Sequence, residues 1–246
     1  MNAAVERGAA FVERAGSEAD RRLAARLVGK TGSEPLALCC AQALEGAAAG
    51  DPERAWRWLA RLADGRSLHV PVVERLCRAL EAGQREDGSW QGADASPDAR
   101  LVLTGLLAGH LARTPFARPE ALERAADLLA AHFTPERVKQ GAYWPLAAYA
   151  QTFANFPHEE SDGILQWCGR ELERDYRCGL VDALRAARVF HWCDTRSLPG
   201  GSLGLGELVG PIAALQQPDG GWLDPADPGP AARVGLTLDA LAVLTR

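Results

Sequence analysis

The sequence predicts an all-α protein built from short helical hairpins. Apolar residues recur at three- and four-residue spacing along nearly the whole chain, and no stretch alternates as a half-buried strand does. Several segments also open on the same start signal, a capping side chain followed by proline and an acid. The 246 residues are read as one domain, 1–246, long enough to enclose a single core.

Taken in order, the spacing predicts helices near 3–14, 17–28, 35–48, 52–63, 70–83, 97–112, 119–132, 143–155, 161–173, 177–191, 204–216 and 230–245. Ser33 before Glu34-Pro35, Asp51 before Pro52-Glu53, Ser96 before Pro97-Asp98 and Thr134 before Pro135-Glu136 mark four of the starts. Gly83, Gly169 and Gly200-Gly201 are expected near stops or loops. Gly200 to Gly206 has a Gly-x-Gly step but follows no strand and lacks a phosphate lysine, so it reads as a flexible connection.

Composition narrows the function. With 27 Lys+Arg against 32 Asp+Glu the net charge is −5, so no nucleic-acid partner is expected. No apolar run approaches the ~20 residues of a membrane span, and Met1 to Arg7 lacks the layout of a secretory signal. The expected location is therefore cytoplasmic. The six cysteines (39, 40, 77, 168, 178 and 193) contain no CxxC pair and read as reduced thiols.

One motif repeats. Gln84-Arg85-Glu86-Asp87-Gly88-Ser89-Trp90 and Gln216-Gln217-Pro218-Asp219-Gly220-Gly221-Trp222 both read QxxDGxW. The likeness continues into the next helix, Ala99-Arg100-Leu101-Val102-Leu103-Thr104 against Ala232-Arg233-Val234-Gly235-Leu236-Thr237. Asp-Gly makes a tight turn with positive φ at glycine. The glutamine amide can then bridge backbone groups of adjacent hairpins while the tryptophan ring lies across the turn, which makes the element a structural clasp.

These clasps resemble the QW motif of squalene-hopene and other class II terpene cyclases, and the matching repeat of protein prenyltransferase β subunits. The resemblance implies an α/α toroid of about five to six hairpins around a central apolar cavity. It also implies an isoprenoid or similarly hydrophobic substrate and acid-initiated cyclisation or rearrangement. The cyclase Asp-x-Asp-Asp-Thr acid motif is matched only by Asp194-Thr195 in His191-Trp192-Cys193-Asp194-Thr195. Asp194, with His191 as partner, is thus the candidate catalytic acid, a role that requires a carboxyl held neutral by burial.

Arg100 and Arg233 occupy matched first-turn positions, and the prenyltransferase likeness implies that they hold an anionic head group. The structural alternative is an ion pair, for instance Arg100 to Asp98 or Arg233 to Asp239. Trp144, Tyr149, Phe153 and Trp192 are the expected apolar wall, where ring faces favour a carbocation. Trp56 and Trp58, two apart, cannot share a helix face. His191, Cys193 and Asp194 with Cys178 or His158 are the nearest approach to a zinc set. Their spacing departs from the prenyltransferase pattern, so no metal or other cofactor is expected.

Two rival readings follow. A non-catalytic toroid would bind a hydrophobic ligand, a lipidated peptide or a partner protein, and would have no acid facing its cavity. A zinc-dependent prenyltransferase β-like subunit would hold zinc and dock a helical partner chain.

Overall fold

A computed structural model describes residues 3–31, 50–93, 96–224 and 226–246. The helix expected at 35–48, its Ser33 cap, and Cys39 and Cys40 lie outside the described residues. Among those residues there are eleven α-helices: α1 (Ala3–Ala15), α2 (Glu18–Leu27), α3 (Pro52–Asp64), α4 (Pro71–Ala82), α5 (Pro97–Leu111), α6 (Pro119–His132), α7 (Tyr143–Asn155), α8 (Ser161–Arg177), α9 (Ala183–Trp192), α10 (Leu205–Ala214) and α11 (Pro230–Leu244). A 3-10 turn spans Pro135–Val138. Extended pairing among the described residues is confined to two isolated bridges, Ser197 with Gly204 and Asp224 with Asp227. No described helix is long and apolar enough to cross a membrane.

The expected caps are in place at two starts. Asp51 accepts from the Arg54 amide at 2.9 Å and Ser96 from the Ala99 amide at 3.3 Å. Thr134 makes no side-chain cap, and the chain after it forms only the 3-10 turn. The boundary expected between 173 and 177 is absent, and α8 runs on to Arg177. It stops in a Schellman motif at Gly179 (φ +74°), where the Gly179 amide donates to Tyr176 O and the Leu180 amide to Asp175 O. Gly169, expected near a stop, lies inside α8, and a Cβ there would sit 2.1 Å from Pro199 O. The Gly200–Gly206 stretch is pinned rather than flexible, since the Ser202 amide and hydroxyl both donate to Glu173 at 2.6 Å.

Helices α5, α7, α9 and α11 are buried on most sides, whereas α1, α4, α6 and α8 bury one face. Helix α5 packs on α3, α6 and α7; α7 packs on α8 and α9; α9 packs on α10 and α11; α11 packs on α1 and α2. The α5–α7 approach is close because Gly105 and Gly109, one turn apart, carry no Cβ. A Cβ on Gly105 would lie 2.9 Å from Ala148 O, and one on Gly109 would lie 2.3 Å from Gln151 Cγ.

Both clasps are built alike. Gln84 Nε2 donates to Gly88 O (2.9 Å) and across to Ala121 O (2.8 Å) on α6, while Arg124 donates to Gln84 Oε1 (2.5 Å). Gln216 Nε2 donates to Gly220 O and to Ala4 O, both 2.8 Å, and Arg7 donates to Gln216 Oε1 (2.6 Å). Trp90 and Trp222 are each 1% exposed and donate their indole N–H to Leu80 O (2.8 Å) and Ile212 O (2.7 Å). Their backbone amides donate to Thr104 and Thr237.

The second clasp therefore ties α1 to the C-terminal hairpin as the first ties α6 to its own. Ala121-Leu122-Glu123-Arg124 and Ala4-Val5-Glu6-Arg7 show the same likeness in sequence. The N-terminal helix is a copy of the partner that this clasp recognises.

Candidate functional site

A pocket of about 350 Å³ opens between α3, α7, α9 and α11. Trp56 and Ala60 line it from α3, Tyr143 and Trp144 from α7, Leu184, Arg188 and Trp192 from α9, and Gly235, Leu236 and Asp239 from α11. Spacing of four along α9 (Leu184, Arg188, Trp192) and α11 (Gly235, Asp239) puts each set on one face. Its volume is at the low end of ordinary ligand sites, about 300–1,000 Å³.

Three indoles form the wall. Trp56 meets Trp144 edge-on at 5.8 Å and Trp192 at 6.5 Å, and Trp144 stacks on Trp192 at 6.3 Å. Trp144 is 48% exposed at the mouth, while Trp192 is buried. The indole N–H groups of Trp56 and Trp192 are buried without a hydrogen-bond partner. Helix α7 presents its first turn to the pocket, α9 lines it from Leu184 to Trp192, α11 lines it from its middle, and Arg57, Arg61 and Arg185 stand around it. Arg61 pairs with Asp20 and Arg185 with Asp182 and Asp224, whereas Arg57 has no partner among the described residues.

The deep end is ionic. Arg188, 4% exposed, forks onto Asp64 at 2.8 and 3.3 Å and lies 3.3 Å from Asp239 Oδ1. The guanidinium also sits 4.9 Å from the Trp192 ring centroid. His191 Nε2 donates to Asp64 Oδ1 at 3.0 Å, which leaves Nδ1 buried and unpartnered.

Charge states follow from these contacts. Burial alone would push the Asp64 carboxyl up, but Arg188 and His191 outweigh it and hold Asp64 well below the usual carboxylate range. Burial lowers the His191 imidazole pKa, and the bond to Asp64 only partly offsets it, so the ring is neutral at pH 7. Asp239 differs: burial raises its carboxyl pKa and Arg188 only partly compensates. Its side chain is 39% exposed, toward the pocket.

The sequence-predicted residues divide among several places. Trp144 and Trp192 share the pocket. Tyr149 and Phe153 stack on each other in the core, and Tyr149 meets Phe133 and a separate small cavity. His191 is joined to Asp64 rather than to Asp194. Asp194 is 67% exposed, has φ +50°, and pairs with Arg246 at 2.6 Å, so it lacks the burial that the acid role requires.

Arg100 and Arg233 do not line the pocket. Arg100 pairs with Asp87 (3.0 Å) and Arg233 with Asp219 (2.7 Å), so the partners are the clasp aspartates and not Asp98 or Asp239. Of the zinc set, His158 pairs with Asp127, Cys178 is exposed, and burial pushes the Cys193 thiol up to about 12. Among the described residues no three His, Cys, Asp or Glu side chains converge as a metal site. Trp58 lies outside the pocket lining, on another face from Trp56.

Asp64, Arg188 and Asp239 went unrecognised as a site because they come from three helices. A signal was present, since each is a charged residue on an otherwise apolar stripe. Asp64 follows Ala60 by one turn, Arg188 sits between Leu184 and Trp192, and Asp239 lies between Gly235 and Val243. Compared with protein-family models, curated proteins and solved structures, the chain has no match.

Proposed function

We propose that the chain is an α/α toroid that binds a hydrophobic small molecule in the tryptophan pocket and isomerises or cyclises it by protonation. Support for the ring is the order of helix contacts, in which α3, α5, α7, α9 and α11 touch in sequence and α11 returns to α2. Arg61 on α3 pairs with Asp20 on α2, which links the two remaining neighbours.

The observation that carries the function is Asp239. A carboxyl opens into a cavity walled by three indoles, and burial raises its pKa, the direction that favours a proton donor. In its protonated form Asp239 would deliver its proton to carbon, the carbocation would lie against ring faces, the carboxylate left behind would be stabilised by Arg188, and loss of a proton from a neighbouring carbon to that carboxylate would form the product alkene and restore the acid. Asp239 thus takes the acid role that the cyclase likeness suggested for Asp194. An anionic head group, if the substrate carries one, meets the N-termini of α7 and α9 and Arg57, which has no partner among the described residues.

The test pairs binding with turnover. Geranyl and farnesyl diphosphates and their alcohols should quench tryptophan fluorescence in the wild-type chain and yield cyclised or rearranged products. Asp239→Asn should keep the quenching and lower product formation about 100-fold or more, while Asp194→Asn leaves both unchanged. Quenching without product favours the non-catalytic reading, to which the Arg188–Asp239 pair also lends itself. No quenching by any isoprenoid removes the ligand reading.

A further inference from the structure

The two clasps set α5 and α11 in register. Thr104 and Thr237 both accept the amide of their clasp tryptophan, and Arg100 and Arg233 both pair with their clasp aspartate. The helices therefore match residue for residue from Ala99 and Ala232 onward. At two matched positions the chemistry differs. Where α5 has Leu106, 3% exposed in the core, α11 has Asp239; where α5 has Val102, α11 has Gly235.

Gly235 has no backbone reason to be glycine. It lies inside α11 without a left-handed φ, and glycine in a helix interior costs stability relative to alanine. A Cβ there meets no atom within 4 Å. Gly163 and Gly206 share that freedom, but they stand exposed on α8 and α10, whereas Gly235 is half-buried and lines the tryptophan pocket.

Gly235 precedes Asp239 by four residues on one helix face, so a side chain there would enter the space that the carboxyl faces, about 6 Å along the helix from it. The matched Val102 is the filled version of the same position. It borders a cavity of about 130 Å³, against about 350 Å³ at Gly235.

We infer that Gly235 is a specificity-determining residue, whose missing side chain leaves room for the apolar body of a ligand of about fifteen carbons rather than ten. A dry cavity of about 150 Å³ takes one benzene, so about 350 Å³ at that packing takes about 14 carbons. A valine side chain would add three carbons, about 75 Å³ on the same scale, and leave room for about 11. The ligand's chemistry here rests on the isoprenoid reading; the pocket's capacity does not.

Binding of geraniol, with ten carbons, and farnesol, with fifteen, is measured by tryptophan quenching in the full chain. N-phenylnaphthylamine, followed by its own emission, serves as a neutral probe of bulk similar to farnesol that is not an isoprenoid. Gly235→Val should weaken farnesol and the naphthylamine at least about tenfold and geraniol less than about twofold. Gly163→Val should change none of the three. Gly235→Ala should raise the melting temperature by about 2–4 °C, because the added methyl group meets nothing and the helix gains propensity.

A lower melting temperature for Gly235→Ala, equal loss of geraniol and farnesol in Gly235→Val, or no loss of either, overturns the assignment. If wild type binds the naphthylamine alone and Gly235→Val loses it, Gly235 sets the capacity and the isoprenoid reading falls. A wild type that binds none of the three overturns both.

Discussion

The two clasps use the same atoms to close very different lengths of chain. Gln84 reaches a carbonyl 37 residues downstream, whereas Gln216 reaches one 212 residues away. Closing the longer loop costs roughly 1.5 kcal/mol more chain entropy. The second clasp has extra contacts where that cost falls. Arg14 donates to Asp219 O at 2.8 Å, the Arg233 guanidinium lies 5.0 Å from the Phe11 ring, and Gly8 lets Trp222 and Leu241 approach the α1 backbone. One local solution has been used twice and reinforced where it joins segments far apart in sequence.

The largest effects should come from the tryptophans. Trp90→Ala and Trp222→Ala each remove a fully buried ring and a hydrogen-bond donor, and each should cost about 3–5 kcal/mol by denaturant unfolding. The difference between them lies in what is released. Trp222→Ala should expose the α1 amides to hydrogen exchange well before the rest of the molecule, while Trp90→Ala should lower protection in α4, α5 and α6 together. If α1 exchange in Trp222→Ala merely follows the global transition, the terminal clasp is no weaker a unit than the internal one.

Next in size are the glycines. Gly88 and Gly220 have φ +84° and +93°, and a Cβ at either would lie 2.3 Å from Arg124 O or 2.5 Å from Arg7 O. Alanine at either position meets both left-handed strain and a backbone clash, and should destabilise by more than about 1 kcal/mol. Equal losses at the two sites would mean that the clasps are energetically equivalent despite their loops. A smaller loss at Gly220 would mean that α1 shifts to accommodate the methyl group.

Much of this was legible because it is contiguous. Asp-Gly, the flanking glutamine and tryptophan, and the recurrence of the whole element lie within seven residues, and the proline-led caps announce helices locally. The partners of Arg100 and Arg233 were less legible. Side chains on a helix lean toward its N-terminus, so a first-turn arginine reaches back over the turn to Asp87 or Asp219, 13 or 14 residues earlier, and away from the pocket. The pocket was least legible, because Asp64 and Arg188 stand 124 residues apart and meet only through packing. Asp194 was singled out because it stood in a familiar string, but its surroundings are those of a surface carboxylate.

The smallest effect concerns acid. The Ser89 hydroxyl and the Arg100 guanidinium hold the Asp87 carboxyl below its ordinary value, and Arg233 and the Gly221 amide do the same for Asp219. A lowered folded-state pKa contributes stability that is complete above the unfolded value, near pH 4, and is lost as pH falls through the folded one. The unfolding midpoint of wild-type protein should therefore drop from about pH 4 downward more steeply than that of Asp87→Asn or Asp219→Asn. Because Asp219 accepts both oxygens' worth of contact from Arg233, its variant should flatten the curve more.

Helix α1 is complete long before its seat exists. Trp222 is translated more than 200 residues after Gly8, and at about 5–20 residues per second the delay is on the order of 10–40 s. Through that interval α1 has α2 to pack against, but the side of it that meets α11 in the finished molecule is uncovered. Until then the face that α1 turns toward α11 is apolar surface of the kind that chaperones bind, and the clasp can close only after Trp222 has been made.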